Sequence, residues 1–245
     1  YAISQKLNVV HYTLELNEAY VGLRYDSIFS GFEGQNLKYH KEEVMERIFK
    51  LDGKLTIKYY PTKSCTVNTL SAHLKKAMTF GKEINMVIVD YADIMRDVHK
   101  TREMRHALGN IYEDLRGMAG EFQIPIWTAS QANRSALDED VIEASRVAES
   151  YAKVMTADFV MSLSRKIEDK IGNTGRFHVI KNRFGPDGLT YPARINTNIG
   201  KIELFESTSI QGKDVQHKIK NRDNQTKQIL SQRYDDLMKG EEIDN

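Results

Sequence analysis

Short apolar runs recur along the chain, at 8–14, 55–59, 85–89, 124–129, 157–163, 175–180 and 189–195. Helical spacing fills the gaps between the first five, at 20–29 with 42–50, then 69–79, 105–122 and 142–155. In the 105–122 segment Leu108, Ile111, Tyr112, Leu115 and Met118 return on one face, which predicts an amphipathic helix with that face buried. Near-continuous apolar strands separated by helices predict a parallel sheet covered on both sides. The last strands are joined by turn sequences, Phe184-Gly185-Pro186-Asp187-Gly188 and Asn198-Ile199-Gly200, with no helix between them. The expected fold class is therefore α/β, a mostly parallel twisted sheet flanked by helices and ending in antiparallel hairpin strands.

After Glu206 the pattern changes. Lys213, Lys218, Lys220, Arg222, Lys227 and Arg233 precede an acidic stretch of Asp235, Asp236, Glu241, Glu242 and Asp244. Ile229, Leu230, Tyr234, Leu237 and Met238 make one helical stripe, and Gly240 is a suitable stop. The expected division is a core over 1–206 and a charged tail over 207–245 with a helix at 224–240. That helix either covers an apolar patch of its own domain or docks a partner.

Composition narrows the class. A chain of 245 residues suits one large domain or a domain with an appendage. With 40% hydrophobic and 28% charged residues and a mean hydropathy of -0.52, it is neither collagen-like nor wholly disordered. No apolar run reaches the roughly 18 residues of a membrane span. The single cysteine, Cys65, excludes an internal disulfide framework and a cysteine-based zinc site, and suggests a reducing compartment. The net charge is +1, so nucleic-acid binding would need a local patch. Tyr1 to Lys6 reads as the end of a helix running into a strand, not as a signal peptide, so the expectation is a start inside a domain.

Three strands end in residues suited to phosphate chemistry. Met86-Val87-Ile88-Val89-Asp90 is a hydrophobic strand closing on a carboxylate that can hold Mg²⁺ through water, or that simply caps the strand. Val9 to Leu14 runs into Glu15, which can polarise an attacking water, and Ile126 to Ser130 runs into Gln131, whose amide can sense a γ-phosphate. All three together are much less expected by chance than any one. Lys181 and Arg183 stand two apart at a strand end before a tight turn. They suit an arginine finger offered to a neighbouring subunit, or charges that blunt an edge strand.

The order and spacing of these segments resembles the ATPase domain of DnaB-type hexameric replicative helicases, within the RecA-like fold. The resemblance runs from about Tyr1 to Glu206 and rests on Thr13-Leu14-Glu15-Leu16, Val89-Asp90-Tyr91-Ala92, the stretch from Met118 to Arg134, and the stretch from Ile180 to Gly188. The short, histidine-bearing first strand and the charged tail look most like T-even-type phage members. The resemblance implies ATP and Mg²⁺ as cofactors, with Glu15 activating water, Asp90 holding the metal, Arg24 near the nucleotide and Gln131 as sensor. Lys181 and Arg183 would then act on the neighbour's nucleotide. It further implies a hexameric ring moving on single-stranded DNA, a primase or helicase loader as partner, no membrane, and a cytoplasmic location in a bacterium or a phage-infected host.

Two departures from the family pattern stand out. No G-x-x-x-x-G-K-[ST] occurs, although Gly53-Lys54, Gly81-Lys82, Gly200-Lys201 and Gly212-Lys213 each supply a fragment of it. That loop supplies the backbone cradle, the phosphate lysine and the Mg²⁺ hydroxyl. In the family it lies just ahead of the position of Tyr1, so these 245 residues alone are expected not to hydrolyse ATP. The family's DNA-contacting channel loop reads here as Ala148-Glu149-Ser150-Tyr151, with its arginine displaced. Arg134, Arg146, Glu149 and Lys153 are the DNA-contact candidates, with Lys100, Arg102, Arg105 and His106 following the Asp90 strand. The competing readings are a RecA/KaiC-type ATPase and a P-loop-less oligomerisation or DNA-binding module.

Overall fold

The computed structural model describes residues 1–133, 136, 139–147 and 151–241, with backbone alone for 226, 227, 230 and 233–241. Its elements run β1 (Val9–Thr13), α1 (Glu18–Ser30), α2 (Lys41–Phe49), β2 (Leu55–Tyr59), α3 (Val67–Thr79), β3 (Met86–Asp90), α4 (Met104–Phe122) and β4 (Ile126–Thr128). They continue with α5 (Ala152–Thr156), β5 (Phe159–Ser164), α6 (Ile167–Gly172), β6 (Thr174–Asn182), β7 (Thr190–Asn196), β8 (Lys201–Leu204) and α7 (Ile210–Glu241). The strands form two four-stranded sheets, ordered β2-β1-β3-β4 and β5-β6-β7-β8. In the first every pairing is parallel, and in the second β6 and β7 are antiparallel, which matches the order expected from sequence.

The chain packs as two compact units, one comprising Tyr1–Asn133, Ala144–Val160 and Asn198–Lys201. Its core is a sheet face with helices laid on it. Val10, Tyr12 and Leu14 around β1 and Val87 and Val89 of β3 meet Leu70 and Leu74 of α3 and Ile111, Leu115 and Met118 of α4. All five residues of β1 are buried, as a central strand covered on both faces requires. Local chemistry sets the helix ends. The Asn17 side chain accepts from the Tyr20 N–H to start α1, and Gly31 at φ +74° ends it. Thr66 and Thr69 bond each other's backbone N–H at the start of α3.

In the second unit Phe177, Ala193 and Ile195 form the centre of the sheet's packed face. Arg176 of β6 sits among three carboxylates, Asp169 at 2.7 Å and Asp140 and Asp223 at 3.3 Å each. The Asp223 contact ties α7 to β6, and the Arg222 guanidinium adds a bond to the Glu168 carbonyl.

Two helices differ from the sequence expectation. Among the described residues, the helical pattern at 142–155 yields a 3₁₀ turn at Ala144–Arg146 and the short α5. The Ile142 carbonyl, which a helix would use internally, accepts instead from the Ser162 hydroxyl on β5 at 2.6 Å, and the Asp140 carbonyl just ahead of the segment accepts from the Ser164 hydroxyl at 2.6 Å. The tail helix starts at Ile210, well ahead of residue 224. The Ser209 hydroxyl accepts from the Gly212 N–H, and Val215 and Ile219 bury one face of the first turns. Among the stripe residues the side chains of Leu230, Tyr234, Leu237 and Met238 lie outside the described residues, and Ile229 is exposed.

Among the described side chains of α7, those that pack lie at 210–223. Deleting residues 224–245 is expected to lower the melting temperature far less than Val215→Asp, which forces a charge into the buried face. Thermal melts of the two variants side by side check this, and equal losses would place packing in the distal half as well.

Candidate functional site

Register decides which side chains share the carboxyl edge of the parallel sheet. Thr13 pairs with Asp90, and Val89 pairs with Thr128. The ladder runs one step further, with the Leu14 N–H donating to the Asp90 carbonyl at 2.8 Å. Glu15, Asp90 and Gln131 therefore emerge at one edge, from three adjacent strands, where α/β sheets bind ligands. The Thr128 hydroxyl fixes the turn after Asp90 by donating to the Val89 carbonyl at 2.8 Å and accepting from the Ala92 N–H at 3.0 Å.

Tyr91 is the point of convergence. The Gln131 side-chain amide donates to its hydroxyl at 3.1 Å. Its phenol is held above the usual range first by burial and then by the charges of Glu15, Asp93 and Asp90. Tyr91 was visible in the sequence only as the residue after the aspartate, because nothing local shows that an amide forty residues on will reach it.

Asp90 is kept ionised. Its carboxyl lies below the ordinary aspartate range through His11 ahead of all other causes, against the opposing effect of burial, with Arg24 of α1 adding a smaller pull. The His11 Nε2 stands 3.8 Å from Asp90 Oδ2, too long for a hydrogen bond, so the attraction is electrostatic. That nitrogen is buried without a hydrogen-bond partner among the described residues, while Nδ1 shares a 2.8 Å bond with the Tyr25 hydroxyl. Burial, and then Asp90, push the Tyr25 phenol up to about 12. An ionised carboxylate with open lone pairs, beside an exposed Glu15, suits a hard cation held through water. Among the described residues no group of three or more histidine, cysteine, aspartate or glutamate side chains could hold a metal directly.

The other expected site residues are placed as follows. Lys181, one residue before the end of β6, is half-buried, and Arg183 is exposed in the turn that follows. That turn is braced by Asn182, which accepts from the Phe184 N–H and donates to the Pro186 carbonyl, and by Gly188 at φ +73°. Arg146 is half-buried on the 3₁₀ turn, and its carbonyl accepts from the Asn133 N–H. Arg105 and His106 at the start of α4 line a cavity of about 510 Å³ with Asn133, Ser145 and Tyr151. The segments after the Asp90 and Gln131 strands thus meet around one opening. Arg134 and Glu149 lie outside the described residues.

Lys153 is a correction. Expected as a phosphate contact, it is only 3% exposed, and its ammonium donates to Asp93 Oδ2 at 2.8 Å and to Ser130 Oγ at 3.1 Å. A buried, paired ammonium is not presented to a DNA backbone.

The family model described as DnaB-like helicase C terminal domain matches residues 1–201. The chain is 27% identical over 163 residues to the DnaB-like replicative helicase of Enterobacteria phage T4, covering 64% of this chain and 32% of that protein. It is 24% identical over 144 residues to the replicative DNA helicase DnaB of Helicobacter pylori strain 26695, covering 57% of this chain and 30% of the relative. The chain thus spans about a third of the length of these relatives. Among solved structures, one described as an ATPase domain superposes with a TM-score of 0.71 at 17% identity, covering 83% of this chain and 76% of that one. A DnaB-like replicative helicase, described with its interactions with primase, gives 0.69 at 17% identity, covering 82% and 51%. Both likenesses establish the RecA-like fold.

The lowered Asp90 pKa carries a sign. A folded value below the unfolded one contributes stability above the unfolded value, near 3.9, and that contribution is lost as pH falls through the folded value. Asp90→Asn is expected to melt below the wild type at pH 7, with the gap closing below about pH 4. Melts at both pH values check it, and a gap that widens in acid would refute the reading.

Proposed function

Because this chain belongs to the DnaB-like helicase C-terminal domain family, we propose that it is the motor part of a replicative DNA helicase. In the intact protein, ATP hydrolysis between subunits of a hexameric ring would drive movement along single-stranded DNA and unwinding of the duplex. The observation that carries the proposal is the register that brings Glu15, Asp90 and Gln131 to one sheet edge, with Gln131 bonded to the Tyr91 hydroxyl. The family match favours a helicase over a RecA/KaiC-type ATPase.

The roles follow from position. Asp90, ionised and half-open, would hold Mg²⁺ through water, and Arg24 lends positive potential nearby. Glu15, exposed beside it, would take up the proton of the attacking water. Gln131, tethered to the Tyr91 hydroxyl, would meet the γ-phosphate and release that tether as it does so. ATP supplies the phosphoanhydride bond to be cleaved. Lys181 and Arg183 would reach the neighbouring subunit's nucleotide, where a preorganised cation stabilises charge that develops only in the transition state. Tracking of the strand's phosphates falls to Arg146 and to the Arg105 and His106 cavity, in the manner of a positive channel lining. A primase or helicase loader is the proposed partner.

The phosphate cradle is the part that the 245 residues do not supply, since no G-x-x-x-x-G-K-[ST] occurs in them. The chain by itself is accordingly expected to show no Mg²⁺-dependent ATPase, and specific hydrolysis by the purified chain would count against this assignment of roles. In a full-length protein carrying the loop, Arg183→Ala is expected to lower DNA-stimulated hydrolysis by roughly 10³–10⁵ while nucleotide binding changes little. Steady-state ATPase and nucleotide titration together check this, and a normal rate would reduce Lys181 and Arg183 to charges at the end of an inner strand.

A further inference from the structure

Beside the site edge lies a polar cluster, half-buried around Asp93, that the phosphate chemistry does not use. Asp93, three residues after the metal-site candidate Asp90, accepts from three donors. These are the Tyr112 hydroxyl of α4 at 2.8 Å, the Ser130 hydroxyl at 2.9 Å and the Lys153 ammonium of α5 at 2.8 Å. Lys153 also donates to Ser130 at 3.1 Å, and its ammonium lies 5.6 Å from the centre of the Tyr112 ring. Asp93 is 14% exposed and Lys153 3%. The Tyr112 phenol is held well above its usual range by burial and by Asp93, so it stays a donor.

We propose that Lys153 is a positioning residue, a strut that holds the Gln131 strand end in place relative to the turn after Asp90. Ser130 immediately precedes Gln131, and Asp93 follows Asp90 through the short turn that Thr128 pins. One ammonium thereby bonds the two segments that end in the sensor amide and the metal carboxylate. It reaches them from α5, the first helix after the Ala148-Glu149-Ser150-Tyr151 stretch that corresponds to the family's channel loop. Removing it leaves Asp93 buried with less compensation and frees the Ser130 hydroxyl to rotate, so Gln131 loses its alignment while the nucleotide's other contacts remain. The inference rests on the reading of Gln131 as the γ-phosphate sensor.

Two measurements test it. In the 245-residue chain, acetylation by an amine-reactive reagent read by mass spectrometry should modify Lys153 at least about tenfold more slowly than exposed Lys100, and Asp93→Asn should raise the Lys153 rate. In the full-length protein, Lys153→Met should lower DNA-stimulated kcat roughly 10- to 100-fold with KM for ATP within about twofold. The Asp93→Asn/Lys153→Met double variant should then lose no more than the worse single variant. Unchanged kcat, a loss of melting temperature alone, or additive losses would overturn the strut. The labelling needs no ATPase. A full-length wild type without DNA-dependent hydrolysis therefore counts against the functional reading alone, and labelling of Lys153 at the Lys100 rate counts against the strut alone.

Discussion

The parallel pairing of β1 with β3 is the constraint on which the candidate site depends. Side chains alternate along a strand, so a slip of one residue would exchange the two faces of the whole element. With Thr13 opposite Asp90, Tyr12 and Val89 face the core, and the extra Leu14 bond to the Asp90 carbonyl carries the order one step beyond the last paired residues. Glu15 is the first residue free of that order. The same register, passed on through Val89 and Thr128, sets how far Gln131 stands from Asp90.

Much of this was legible in the sequence because strand ends are local signals. An apolar run of strand length that stops at an acid or an amide names both the element and the residue at its tip. The seven expected strands all occur, with β2 at the expected bounds, and the family resemblance drawn from the strand-end motifs agrees with the match over residues 1–201. The parts that escaped are those set by partners distant in sequence. The segment at 142–155 has helical spacing, yet the Ser162 hydroxyl takes the carbonyl of its first residue, Ile142, and the Ser164 hydroxyl takes that of Asp140 just ahead of it. In the tail, charges such as Lys213, Asp214, Lys218 and Lys220 mask the one-sided pair Val215 and Ile219 that docks the helix.

Lys153 shows the same limit at the level of a single side chain. A lysine beside a channel-loop sequence reads as a phosphate contact because lysines are rarely buried unless paired. Its partner Asp93 lies sixty positions earlier in the chain, and only the packing of α5 on α4 brings the two together. The signal in the sequence was a second acid in Asp90-Tyr91-Ala92-Asp93. One acid at a strand end has an obvious use, and a second three residues later asks for a cation.

The two aspartates separate by environment, which is how one short segment can hold both a structural and a chemical carboxylate. Asp93 accepts from a phenol, a hydroxyl and an ammonium, so its lone pairs are occupied and its burial is compensated. Asp90 is 38% exposed, and its described ionic neighbour, the His11 imidazole, stands at 3.8 Å, near enough to favour the charge but too far to consume a lone pair. A carboxylate that is ionised yet unspent can ligate a hydrated cation, and one that is fully bonded can only hold its neighbours still. The difference between the two rests on position: Asp90 is paired with Thr13 as the last residue of β3, and Asp93 lies in the turn beyond it, where Tyr112, Ser130 and Lys153 reach it.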